Sequence, residues 1–148
     1  MSDEIQAKNQ VPPPILIAAI ICDWVIIDAL TQKPSIIGAF EVISAQSYPA
    51  RHGRLAFFCQ LTNGHGKTPV TVKLVDVQKE DQSLFEQTIE CEFKDVRAVG
   101  NLTFDINGIV FPHSGEYRFQ IFAGTNFLGE RRIICGEIKM NSGGNINA

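Results

Sequence analysis

Positive charge is scarce and scattered in this 148-residue sequence: 13 Lys and Arg stand against 16 Asp and Glu, a formal net charge of −3. Arg51 sits near Arg54 and Arg131 beside Arg132, but neither pair forms a basic stripe. Nucleic-acid recognition, which needs such a footprint, is not expected. Long apolar runs are missing too. The longest candidate, Ile15–Ile27, is broken by Asp23 and falls short of the roughly 18 residues that span a membrane. No secretory signal is read: the first fourteen residues carry Asp3 and Glu4 and end in Pro12-Pro13-Pro14, not in a basic start and a small-residue cleavage site. A cytoplasmic setting follows as the expectation, with reduced thiols. Closely spaced cysteines are absent as well. Cys22, Cys59, Cys91 and Cys135 stand 37, 32 and 44 positions apart, whereas structural zinc sites bring ligands in tight pairs. Four small core residues are the better reading, and no metal or cofactor is expected.

What the chain does have is strand-forming sequence. Ten Phe, with many Ile and Val, favour β-structure. Ile15–Ile27 reads as a continuous strand buried on both faces. A turn at Thr31–Ser35 leads to a second strand, Ile36–Ala45, with Gly38 as a candidate bulge. Tyr48–Gly53 reads as a loop. Leu55–Leu61 alternates cleanly, and Asn63-Gly64-His65-Gly66 then signals a hairpin into Val70–Val77. Lys79–Gln82 is a polar turn. Leu84–Phe93 sets Phe85, Ile89, Cys91 and Phe93 against Glu86, Thr88, Glu90 and Glu92, a solvated row. Leu102–Ile106, Tyr117–Phe122 and roughly Leu128–Ile138 complete the set, the last blurred by Arg131-Arg132 and expected to bend or bulge. About eight short strands and no amphipathic helix predict an all-β fold: a two-sheet antiparallel β-sandwich of immunoglobulin-like Greek-key type. Residues 15–138 form the one expected domain, between a disordered N-terminal arm, 1–14, and a disordered tail, 139–148.

His113-Ser114-Gly115-Glu116-Tyr117-Arg118-Phe119 resembles the tyrosine corner of immunoglobulin-like domains, in which a Tyr early in a late strand bonds back to the backbone just upstream. Gly115 is expected to make the turn and Phe119 to enter the core. An antibody domain carries Cys where Phe119 stands and a core Trp on its third strand; here Trp24, the single Trp, lies on the first. A second resemblance rests on Ile20-Ile21-Cys22-Asp23, Lys33–Phe40, Tyr48-Pro49-Ala50, Phe111-Pro112 through Gly115-Glu116-Tyr117, and Leu128-Gly129-Glu130. The order of these segments is similar to an uncharacterised family of small bacterial proteins. That resemblance implies a β-sandwich in a bacterial cytoplasm and brings no activity, so no functional residues carry over.

Catalytic chemistry finds little support. His52, His65 and His113 each fall in an expected turn, without a Cys or carboxylate at ligand spacing. Ser47, Ser83 and Ser114 lack the flanking glycines of a nucleophile elbow, and neighbours such as His113 and Ser114 usually point apart in a turn. Asn63–Gly66 and Gly124 open no helix that would receive a phosphate. Pro12–Pro14 reads as a spacer. Asp23 and Asp28, at odd spacing on one strand, should lie on opposite faces, and Asp23 is expected to pair with a cation or cap an amide. The residues singled out are therefore structural: Asp23, Trp24, Gly115 and Tyr117. Non-catalytic binding or assembly is the leading functional expectation, with a protein partner or a second copy at a sheet edge or face. The alternative is a small-ligand carrier or enzyme, whose mark would be His52, His113 and Asp23 converging on one pocket.

Overall fold

The structure, a computed structural model, describes residues 11–138. The apolar run that opens it becomes strand β1 (Ile15–Ile27), followed by β2 (Pro34–Ala39), β3 (Val42–Ala45), β4 (Ala50–Thr62), β5 (Gly66–Asp76), β6 (Gln82–Phe93), β7 (Gly100–Phe111), β8 (Gly115–Ala123) and β9 (Asn126–Glu137). A single 3-10 turn, Val77–Lys79, joins β5 to β6. One sheet has the order β2-β1-β4-β7 and the other β3-β9-β8-β5-β6. Every pairing is antiparallel except β3 with β9, which is parallel. The crossings between sheets give an immunoglobulin-like Greek key.

Alternation places the core. From β4, Leu55, Phe57, Cys59 and Leu61 point inward; from β5, Val70, Val72 and Leu74; from β7, Leu102, Phe104 and Ile106; from β8, Tyr117, Phe119 and Ile121. The Phe57 and Phe119 rings stack across the sheets at 4.6 Å between centroids, a favourable arrangement for aromatic pairs. The four cysteines are buried and free. Burial raises each thiol, Cys59 to about 12 and Cys135 to about 11.

β1 does bury both faces, by way of a register shift. Leu16 pairs with Leu61, but Ala18 pairs with Gln60, so the bulge at Ile17 resets the alternation. Ala19 and Ile21 then face the main core, while Ile20 and Cys22 join Ala56 and Phe58 in a second cluster on the outside of that sheet.

Four expectations are corrected. The single strand Ile36–Ala45 is two, β2 and β3, because the chain changes sheet at Phe40-Glu41; Phe40 N–H bonds to Ile21 O on one side and Glu41 O accepts from Ile134 N–H on the other. The chain therefore has nine strands. The Asn63–Gly66 turn makes no hairpin: β4 and β5 lie in different sheets, and Asn63 N–H is held by Val96 O at 2.9 Å. Residues 50–53, read as loop, begin β4, and His52 is a strand residue paired with Ile109. The last strand does bulge, but at Leu128 and not at Arg131-Arg132: Ile121 pairs with Gly129 and Phe122 with Phe127, which leaves Leu128 unpaired. Of the arm and tail, 1–10 and 139–148 lie outside the described residues; Val11–Pro14 runs beside His65, Lys67 and Pro69, with Pro14 buried.

Candidate functional site

β5 ends on Asp76, whose side chain is 1% exposed and is the buried charge among the described residues. One carboxylate oxygen accepts from Gln78 N–H at 3.1 Å, capping the 3-10 turn. The other meets His113 Nε2 at 2.6 Å. The remaining ring nitrogen, Nδ1, faces Ser114 O at 2.7 Å. A carbonyl can only accept, so Nδ1 donates to Ser114 O, and the protonated His113 ring donates from Nε2 to the Asp76 carboxylate as well. The Ser114 carbonyl, and after it the Asp76 carboxylate, hold its pKa above the ordinary histidine value, against desolvation and nearby Lys79. Tyr117, directly opposite Asp76 in the ladder, donates its hydroxyl proton to His113 O at 2.7 Å and accepts from His113 N–H at 3.2 Å. This is the expected tyrosine corner, with Gly115 at φ +139° feeding β8. Chemically the cluster is a latch. Neither ring nitrogen of His113 is free to take a proton from a nucleophile.

A second cluster forms where the chain changes sheet. Asp23, Gly38, Phe40, Ile43, Ser44 and His52 line an open groove of about 300 Å³. Asp23 is exposed and makes no hydrogen bond or ion pair among the described residues, so it neither pairs nor caps as expected. Its carboxylate lies over Gly38, which adopts φ +66°, a conformation that favours glycine; a Cβ there would run into the carboxylate. The His52 and Phe40 rings are 5.7 Å apart. Of the three residues that would mark a ligand site, two share the groove and His113 does not. Asp28 instead caps the β1–β2 turn through Leu30 and Thr31 N–H at 2.9 and 2.8 Å, bonds that lower its pKa.

The two outer faces of the sandwich differ in chemistry. On the β3-β9-β8-β5-β6 sheet, Arg118 bridges Glu116 and Glu130 at 2.7 and 3.2 Å, Arg132 meets Glu116 at 3.3 Å, and Lys73 meets Glu86 at 3.7 Å. On the β2-β1-β4-β7 sheet, Ile17, Trp24, Ile26 and Ile37 stand exposed around the Ile20–Phe58 cluster. Trp24, far from being a core residue, is 43% exposed; it pairs with Ile37 across the ladder, and the Arg54 guanidinium lies over its ring at 4.4 Å.

Sequence reading missed Asp76, a lone carboxylate between Val75 and Val77 that offered a signal. It also missed the groove, which depends on a sheet crossing invisible to periodicity. Among the described residues no helix is long and apolar enough to cross a membrane.

The model of a family of unknown function, DUF6941, matches residues 17–134. No curated protein matches. Among solved structures, an immunoglobulin-like protein from Pseudomonas aeruginosa is similar at 17% identity and TM-score 0.42, covering 86% of this chain and 99% of its own. A β-glucosidase from Listeria innocua is similar at 9% identity and TM-score 0.40; the match covers 73% of this chain and 18% of the enzyme. At these scores neither adds to the topology already described.

Proposed function

We propose that this chain, which belongs to the DUF6941 family, is a non-catalytic assembly module of the bacterial cytoplasm that pairs with a second copy through the outer face of its β2-β1-β4-β7 sheet. One observation carries the reading: charge is concentrated and neutralised on one outer face, while the other presents an apolar strip along β1. Contiguous exposed apolar surface rimmed by polar groups marks interaction sites. With 13 residues in β1, at about 3.3 Å each, the strip runs roughly 40 Å. Three strands at about 4.8 Å spacing widen it to at most roughly 600 Å², the lower end of what each partner buries in a specific interface.

A second copy fits because the face carries both signs. Arg54 and Asp105 lie on adjacent strands, two pair positions apart and so on the same face of the ladder in which Arg54 opposes Asn107 and Ala56 opposes Asp105. A two-fold axis between them sets each Arg54 against the other protomer's Asp105, an isologous contact. The cytoplasmic setting accords with four buried thiols. The absence of a catalytic role accords with His113 having both ring nitrogens committed.

Light scattering on a size-exclusion run, from micromolar to millimolar chain, tests this. The chain should dimerise. Trp24→Glu and Ile37→Lys should each give monomer with unchanged circular dichroism, and Lys73→Glu on the opposite face should leave the dimer intact. A chain that stays monomeric at millimolar concentration, or a dimer indifferent to Trp24→Glu, overturns the reading.

A further inference from the structure

We infer that the groove at the sheet crossing is a binding site for an ammonium or guanidinium group, seated between the Asp23 carboxylate and the Phe40 ring. The inference is independent of the assembly reading. Asp23 lies in the ladder between Cys22 and Trp24, so its side chain leaves β1 on the face opposite to Trp24, away from the apolar strip.

Four features define the site. The Asp23 carboxylate lines the groove and has no cationic or N–H partner among the described residues. The nearby cations are committed elsewhere: the Arg54 guanidinium lies over Trp24, Arg51 packs across Gly108, and Arg131 is bridged to Glu41 at 3.0 Å. The glycine at position 38 keeps the ground beneath the carboxylate clear, since any side chain there would displace it. Phe40 lines the same groove with an aromatic ring, His52 lies 5.7 Å from it between ring centroids, and Ser44 adds a hydroxyl to the lining. A carboxylate, a π-face and a hydroxyl acceptor are the groups that hold an organic cation: the carboxylate by a charge-assisted hydrogen bond, the ring by cation–π attraction. The groove, about 300 Å³ and open to solvent, is at the small end of ligand pockets. It suits one alkylammonium or guanidinium arm, borne by a small polyamine-like molecule or by a lysine or arginine side chain of a peptide.

The test is a titration of the ¹⁵N-labelled full chain followed through its amide resonances, at fixed ionic strength. The probes are n-butylammonium chloride, n-butanol as its neutral counterpart, and acetyl-Gly-Lys-Gly-amide beside the same peptide with acetyllysine. The cationic probes should move Gly38, Phe40, Ser44 and His52 saturably, and the neutral ones should not. Asp23→Asn, an exposed substitution that leaves the core untouched, should weaken binding about tenfold, and Phe40→Leu should weaken it several-fold. Saturation by butylammonium alone assigns the site to a small molecule; tighter saturation by the lysine peptide assigns it to a partner's side chain. Shifts that do not saturate, that persist in Asp23→Asn, that n-butanol reproduces, or that spread over all surface carboxylates overturn the proposal. Because the titration runs equally on the Trp24→Glu variant, its failure and the failure of the assembly reading are separate results.

Discussion

Replacing His113 by Gln removes the cation from the one buried charge of the described chain, and the cost can be worked from the corner's geometry. Asp76 keeps its bond to Gln78 N–H at 3.1 Å but loses the 2.6 Å contact with an imidazolium. Breaking a buried pair costs about 3–5 kcal/mol when the remaining charge is sealed off. The His113 side chain is 26% exposed, so water reaches the vacated position and screens part of that cost. A charged hydrogen bond of about 2 kcal/mol is the fitting magnitude. For a domain of this size it lowers Tm by roughly 6–10 °C. The pH dependence has a definite sign. His113 has a folded pKa above its unfolded value of about 6.5, so the native chain binds the proton more tightly. The stabilisation is complete below about pH 6.5 and is lost as pH rises through the folded pKa. Urea unfolding of wild type and His113→Gln from pH 5.5 to 9.5 should show the gap between them closing toward the alkaline end. Adding Asp76→Asn should cost less in the His113→Gln background than in the wild type, by about 1 kcal/mol or more. A gap that widens with pH, or strict additivity, would refute the assignment of His113 as an imidazolium bound to Asp76.

Other substitutions probe separate parts of the argument. Tyr117→Phe keeps the buried ring but leaves His113 O and N–H without the hydroxyl, and urea unfolding should show a loss of about 1–3 kcal/mol. The four thiols should be inert to a thiol reagent in the native chain, as their raised pKa values and burial require, and all four should titrate in urea without reductant; fewer than four would reveal disulfides. Gly38→Ala should destabilise by about 1–2 kcal/mol, since it forces a Cβ into both a left-handed backbone and the Asp23 carboxylate; an unchanged Tm would show that this corner relaxes freely.

Strand identity was legible because the core writes itself in period two. Leu55, Phe57, Cys59 and Leu61, or Tyr117, Phe119 and Ile121, can bury one face only as strands, and the structure places them so. The tyrosine corner was legible for a different reason: its turn, its glycine and its tyrosine are neighbours in sequence. Pairing was not legible. Asn63–Gly66 has hairpin composition, yet the residues after it cross to the other sheet, because a turn signal specifies reversal of the chain and not which edge receives it. The break at Phe40-Glu41 was hidden similarly, since a strand that changes sheet keeps its apolar character on both sides of the step. Asp76 and His113 are 37 positions apart; only the register of β5 with β8 unites them.

The same register accounts for why the corner is a latch and the groove is not. At the corner every polar atom is answered: Asp76 by two donors, His113 by two acceptors, Tyr117 by the backbone on both sides of the hydrogen bond. A cluster so satisfied has nothing left with which to bind, and its effect goes into holding β5 and β8 together. At the sheet crossing the chain leaves β2 and enters β3 through only Phe40 and Glu41, too few residues to cover Asp23 with a partner of its own. The edge strands follow the same logic. β2 carries Pro34 and a left-handed Gly38, β3 is four residues long, and β6 carries Glu86, Glu90 and Glu92, all devices that discourage strand addition. Three of the four edges are thus guarded, and the fourth, β7, is interrupted by a left-handed Gly108; the apolar strip along β1 then directs association to a face, and a variant that blocks β-pairing at the β7 edge should leave the oligomeric state unchanged where Trp24→Glu abolishes it.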